Sequence, residues 1–207
     1  MNKLFEIFRK KTTWEQVFPY LLATGGVLGL YSAVILTLDK IQLLKEPASL
    51  FICDLNPIFS CGSVMNSPQA EAFGFANSII GVFGFTIVLT IGMAVLAGAS
   101  FKRWFWLGLQ LGTVFGIGFV HWLMYQSLYR IGALCLYCML VWSVMITIFL
   151  YTTMYNLKND HIKLDKKYHG KVVKFFDAHH AKVLVLWYLT IITAILVQFW
   201  EFWSSLI

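Results

Sequence analysis

Five runs of mostly apolar residues, at about 18–38, 76–99, 104–128, 134–155 and 183–203, set the terms on which this chain can fold. Each is close to the ~20 helical residues needed to cross the hydrocarbon core of a bilayer. With 59% hydrophobic and only 13% charged residues among 207, the chain is too apolar for an ordinary soluble domain. The predicted fold is an all-α integral membrane protein, with a four-helix transmembrane bundle over 18–157 and a fifth transmembrane helix within 183–207. Residues 1–17 are not read as a cleavable signal, because the run behind them is as long as a full span and no small-x-small cleavage site is evident. Leu4, Phe5, Ile7, Phe8 and Trp14 are interleaved there with Lys3, Arg9, Lys10 and Lys11, the pattern of an amphipathic cytoplasmic segment lying on the inner membrane face.

Lysine and arginine give the orientation. With the N-terminus inside, the inner segments carry four of them in 1–17, two at Lys102 and Arg103, and seven in 158–182. The outer segments carry Lys40, Lys45 and Arg130, so the bias is thirteen against three. The formal charge of +6 is thus a topology signal and not a nucleic-acid footprint. The basic segment 158–182 is read as a solvated cytoplasmic loop against anionic lipid heads. This orientation places the 39–75 loop and the short 129–134 turn together on the outer, oxidising side, where disulfides persist.

The outer loop is too apolar for an open linker. Leu50, Phe51, Ile52, Ile58, Phe59, Val64, Met65, Phe73 and Phe75 predict a lid lying on the bundle. Asn56-Pro57 and Ser67-Pro68 each read as an N-cap followed by proline at the first helical position, so one or two short helices are expected, with Cys61 on the first. In the third span Gly108, Gly112 and Gly116 form a stripe of small residues that suits close helix packing. Gly81 and Gly84 read likewise.

The chain's four cysteines form two pairs on that outer side: Cys53 with Cys61, and Cys135 with Cys138. Positions three apart on a helix share a face, so the C-x-x-C pair can bridge or share a substrate. Cys135 falls near a helix N-terminus, which favours a thiolate, and reads as the open, attackable sulfur. Cys138, one turn deeper, faces the bundle interior. The C-x7-C pair in the lid is mobile, with one cysteine able to reach outward and the other inward. Thiol exchange moves a disulfide but cannot create one, so a two-electron acceptor is needed. No nucleotide-binding glycine fingerprint or C-x-x-C-H is present, and in a bilayer the available acceptor is a lipid-soluble quinone. Tyr137, Trp142, Phe83, Phe85, Trp122 and Tyr125 can form an aromatic surround for Cys138. Two alternatives compete: inert structural disulfides, and a soft-metal binding or transport protein of the mercury type. A C-x-x-C bridge closes too small a loop to stabilise much. No His, Met or acidic cluster flanks either pair, so no metal site is assigned.

These residues resemble the vitamin K epoxide reductase family in its bacterial disulfide-forming branch. The similarity lies in Cys53-Asp54 through Ser60-Cys61, Ser67, Asn77-Ser78 opening the second span, and Cys135–Cys138 opening the fourth. The resemblance implies a quinone-dependent thiol oxidoreductase of the bacterial inner membrane that supports disulfide formation, with a ubiquinone- or menaquinone-class acceptor. Cys53 would exchange with a periplasmic thioredoxin-like partner, Cys61 would attack Cys135, and Cys138 would pass electrons to the quinone. Ser67 matches a hydroxyl position near the active disulfide, and Asn77 a polar residue near the quinone head group. Trp142 stands where animal members carry a tyrosine, a departure that bears on direct vitamin K epoxide activity. Many bacterial members continue into a thioredoxin-like domain, so the partner is expected as a separate protein or as a further domain.

Overall fold

The first and second membrane helices touch backbone to backbone, and glycine is what allows it. The computed structural model describes residues 13–204 apart from Ala48, Leu50, Pro57 and Leu164. α1 (Thr13–Lys45) packs along α3 (Asn77–Leu96). A Cβ on Gly26 would stand 2.6 Å from the backbone of Leu89, and one on Gly92 would stand 2.5 Å from that of Ala23. Any side chain at either position would force the helices apart. α4 (Arg103–Gln126) continues through a π turn, Ser127–Ile131, and α5 (Leu136–Lys158) runs back against both α4 and α1. Phe18, Leu22, Ile146 and Ile148 are fully buried between these helices.

α6 (Lys166–Gln198) lies on the outside of this four-helix bundle and is joined to it by polar contacts. Trp187 Nε1 donates to His121 Nε2 at 3.0 Å, and the Tyr188 hydroxyl to the Ser143 carbonyl at 2.7 Å. At the end away from the lid, Lys158 pairs with Glu15 at 3.0 Å and Asp177 at 3.3 Å, and Trp14 Nε1 donates to Asp177 at 2.9 Å. One short helix follows, α7 (Trp200–Ser204), whose Trp203 ring packs on Phe59 of the lid. Among the described residues five helices, α1 and α3 to α6, are long and apolar enough to cross a membrane. The all-α membrane fold read from the sequence is thus observed.

The helices outrun two of the predicted boundaries. α1 continues seven residues past 38, through Asp39 and Lys40, because the lid supplies partners for the charge at Lys40. The lid therefore starts near Glu46 and not at 39. The basic segment 158–182, expected as a loop, is helical from Lys166 and continuous with the fifth span. Its lysines repel one another weakly in water, and no proline interrupts the run. Most of the expected amphipathic segment 1–17 lies outside the described residues; Trp14 is buried against Leu150 and Met154.

Within the lid, α2 (Cys61–Met65) carries Cys61 as expected, but it does not begin at Asn56-Pro57. Asn56 Oδ1 accepts the amides of Ile58 (3.0 Å) and Phe59 (2.8 Å), closing a turn in place of a helix. Ser60 is the N-cap, its hydroxyl accepting the Ser63 amide at 3.1 Å. A 3-10 turn follows at Pro68–Glu71. Phe51, Cys53, Cys61 and Met65 are buried against Leu36 and Leu43 of α1, so the lid has its own small core. Ile52 and Leu55 point to the surface instead, at 91% and 64% exposure.

Candidate active site

A backbone bridge aligns the two cysteine pairs. The π turn ends at Gly132, whose left-handed φ of 71° suits a residue without a Cβ, and the chain then crosses to Leu134. The Ser60 amide donates to the Leu134 carbonyl at 2.9 Å, and the Leu134 amide to the Ile58 carbonyl at 2.6 Å. Ser60 and Leu134 each stand immediately before a cysteine. Cys61 opens α2, and Cys135 is the N-cap of α5. The bridge thereby sets Cys61 Sγ 3.1 Å from Cys135 Sγ, inside ordinary contact distance for two sulfurs, with both residues fully buried.

Cys61 is disulfide-bonded to Cys53, while Cys135 and Cys138 are free thiols. Cys135 Sγ accepts the Cys138 amide at 3.4 Å, occupying the place of a capping oxygen. An N–H aimed at the sulfur stabilises a thiolate there. The sequence reading makes Cys135 the open sulfur. In the structure it is closed under the lid and faces Cys61, whereas Cys138 is only half-buried and lines a cavity. Cys53 is also buried, at 3% exposure, so a macromolecular thiol reaches it only when the lid lifts.

Asp54 organises the loop between the lid cysteines. Oδ1 accepts the Gly62 amide and the Ser60 hydroxyl, and Oδ2 the Phe51 amide, each at 3.0 Å. Burial pushes its carboxyl up, but these hydrogen bonds outweigh that effect and hold it below the usual carboxylate value. From the sequence Asp54 is only a neighbour of Cys53, and its hold on Gly62 across the loop becomes visible once the lid is folded.

A cavity of about 520 Å³ runs between α1, α3, α4 and α5 beneath the lid. Its walls are mostly apolar, and Lys40, Ser67, Gln69, Asn77 and Cys138 gather at the lid end. That is the composition of a site for a largely apolar ligand with one polar head. Gly108, Gly112 and Gly116 line it. A Cβ on Gly108 or Gly112 would meet nothing within 4 Å, so most of the stripe read as helix packing makes room for the cavity instead. Gly116 alone faces a neighbour, the Met145 side chain. Of the six aromatic residues expected around Cys138, Phe85 and Trp142 line the cavity. Phe83, Trp122 and Tyr125 are exposed on the bundle surface, and Tyr137 packs edge-on against Tyr31.

The polar residues at this end form hydrogen bonds with the lid or within it. Asn77 Nδ2 donates to the Gln69 carbonyl at 2.7 Å, and its Oδ1 accepts the Ala72 amide at 3.1 Å. The Ser67 hydroxyl donates to the Val64 carbonyl at 2.7 Å. It sits at the N-cap position of the 3-10 turn without capping it. Lys40, which the sequence reading only counted as a charge, bonds the Met65 carbonyl and Glu71. A lysine two residues past the end of an apolar run was the available signal. Among the described residues, no three His, Cys, Asp or Glu side chains come together as a metal site.

The pattern of cysteines on a four-helix bundle has a counterpart among known proteins. The sequence signature of the vitamin K epoxide reductase family matches residues 20–153, well over half of the chain and all four cysteines. The chain belongs to the vitamin K epoxide reductase family. This family comprises membrane oxidoreductases that link thiol chemistry to a quinone. Its matched region contains the lid, the Ser60–Leu134 bridge and the cavity, and ends before α6. Among curated proteins no match to the chain was found.

Proposed function

We propose that this protein reoxidises a thioredoxin-like dithiol carrier outside the bacterial inner membrane and passes the electrons to a quinone. The observation that carries this reading is the row of sulfurs: Cys53 bonded to Cys61, Cys61 3.1 Å from Cys135, and Cys138 opening on an apolar cavity. In this reading the N-terminus lies in the cytoplasm and the lid faces the periplasm, which the lysine and arginine bias supports.

In this reading a carrier thiolate attacks Cys53, freeing the Cys61 thiolate, and the carrier's second thiol resolves the mixed disulfide. The carrier leaves oxidised, and Cys53 and Cys61 are reduced. When Cys135 and Cys138 are bridged, Cys61 attacks Cys135 and releases Cys138 as a thiolate. Cys53 then attacks Cys61 and releases Cys135. That sequence ends with a Cys53–Cys61 disulfide above two free thiols, the arrangement present here. A ubiquinone- or menaquinone-class molecule in the cavity would supply the two-electron acceptor.

The lining fits such a group, with a mostly apolar slot and Lys40, Ser67, Gln69, Asn77 and Cys138 toward its lid end. Asn77 uses one amide N–H on Gln69 and keeps the other for a carbonyl oxygen. Ser67 spends its only proton on Val64, so its part is to shape the lid wall. Trp142, 4% exposed, forms a flat side of the slot.

The test is Cys138→Ser. It should abolish quinone reduction yet accumulate a Cys61–Cys135 mixed disulfide, read on a non-reducing gel after proteolysis. Full quinone turnover in that variant would refute the assignment.

A further inference from the structure

Lys40 is the only charged side chain among the described residues that line the cavity. It is 8% exposed, near the lid end of α1. Its Nζ donates to the Met65 carbonyl and to Glu71 Oε1, both at 2.8 Å. An ammonium has three N–H groups, so one remains after these bonds. The pair is lopsided: Glu71 does not line the cavity, and its side chain is 42% exposed. The positive charge lies at the cavity wall, and its counter-charge lies at the water.

Holding the lid is a weak account of this arrangement. A buried ion pair gains little stability over apolar side chains of the same volume. The lid is already tied by the Ser60–Leu134 bridge, by Asn77 and by buried Phe51 and Met65. Donor arithmetic at the lid end points elsewhere. The proton of Ser67 is spent on Val64, and Asn77 and Gln69 carry neutral amides. Lys40 alone combines a spare donor with a full charge.

Resting on the quinone reading above, we propose that Lys40 is a catalytic residue, the cation that stabilises negative charge developing on the acceptor's oxygen. In the step it assists, the Cys135–Cys138 sulfur–sulfur bond forms, and two electrons leave the dithiol for the acceptor. Two thiol protons are lost, and two protons arrive on the acceptor's oxygens. Lys40 delivers one of these and regains it from water through half-exposed Glu71. A preorganised donor aimed at developing charge in a dry site is worth about 100-fold or more in rate.

The experiment separates charge from neutral shape by binding, without turnover. The full chain in detergent, with both cysteine pairs first oxidised to disulfides so that no thiol can reduce or alkylate a probe, is titrated with 1,4-naphthoquinone and with its 2-hydroxy derivative, which is anionic at neutral pH. Lys40→Met should weaken the anionic probe about 100-fold and the neutral probe by less than about threefold, and Lys40→Arg should restore most of the anion preference. Lid position is read separately in a Cys53→Ala/Cys138→Ser background, where only Cys61 and Cys135 remain. Their bridge against a glutathione buffer should be unaffected by Lys40→Met. Equal weakening of both probes together with loss of that bridge makes Lys40 a lid clasp and overturns the proposal. If Lys40→Met does not fold, Glu71→Gln decides: it keeps the ammonium and should keep the anion preference, and loss of that preference overturns the proposal. If neither probe binds the wild-type protein, the quinone reading itself fails and takes the role of Lys40 with it.

Discussion

Asp54 accepts hydrogen bonds from three groups of the loop that carries Cys53 and Cys61, and this makes lid order depend on pH. Its folded-state carboxyl is held below the ordinary value of ~3.9. A depressed carboxyl contributes stability that is fully present above the unfolded value and is lost as pH falls through the folded one. Reduction of the Cys53–Cys61 disulfide by a phosphine, which acts in acid, should therefore hold steady from pH 7 to about 4 and accelerate below. Losing one charge-assisted bond of ~1.5 kcal/mol corresponds to about tenfold in that rate. Asp54→Asn should show the faster rate already at pH 7. A flat wild-type profile down to pH 2.5 would mean that the loop is held by something else.

The elements around the cavity differ in what a substitution does to them. Gly112 of α4 faces open space, so Gly112→Ala should leave stability unchanged or raise it by about 0.5–1 kcal/mol through helix propensity. Gly112→Phe should fill the slot and abolish quinone reduction, while the Cys61–Cys135 bridge still forms. Quinone turnover by the Phe variant at the wild-type rate would place the acceptor outside this cavity. Asn77 behaves otherwise, because its amide joins the start of α3 to the lid at Gln69 and Ala72. Asn77→Ala should lower the thermal midpoint by the equivalent of ~1–2 kcal/mol and also slow quinone reduction. Ser78→Ala is the control, because the Ser78 hydroxyl accepts from Thr37 of α1 and not from the lid among the described residues. An unchanged midpoint would free Asn77 of its lid role and leave the acceptor alone as its partner.

Across the molecule, Glu15 stands at the start of α1 and the lid follows its end, so the lid and the Lys158–Glu15–Asp177 cluster lie at opposite ends of the bundle. The cluster joins α1, α5 and α6, and it clamps the fifth helix where the basic residues concentrate. With that end in the cytoplasm, a membrane-impermeant thiol reagent applied to intact cells after reduction should label Cys53 from outside. Labelling only from the cytoplasmic side of inverted vesicles would reverse the orientation and remove the oxidising compartment from the proposed relay.

The five spans and the two cysteine pairs were legible because each depends on short-range pattern. A run of apolar residues must leave water wherever it sits, and a C-x-x-C at a helix start shares one face by helical geometry alone. The predicted spans stopped where charge began, at Asp39 and at the 158–182 lysines, because hydropathy cannot register a partner elsewhere in the chain that accepts the charge. Only the folded bundle brought Ser60 against Leu134, 74 residues apart, and thereby set Cys61 on Cys135. It also turned a glycine stripe that suited packing into the wall of a cavity. Helical periodicity determines which residues share a face, but whether that face meets a neighbour or a void is decided by how four helices fill space together.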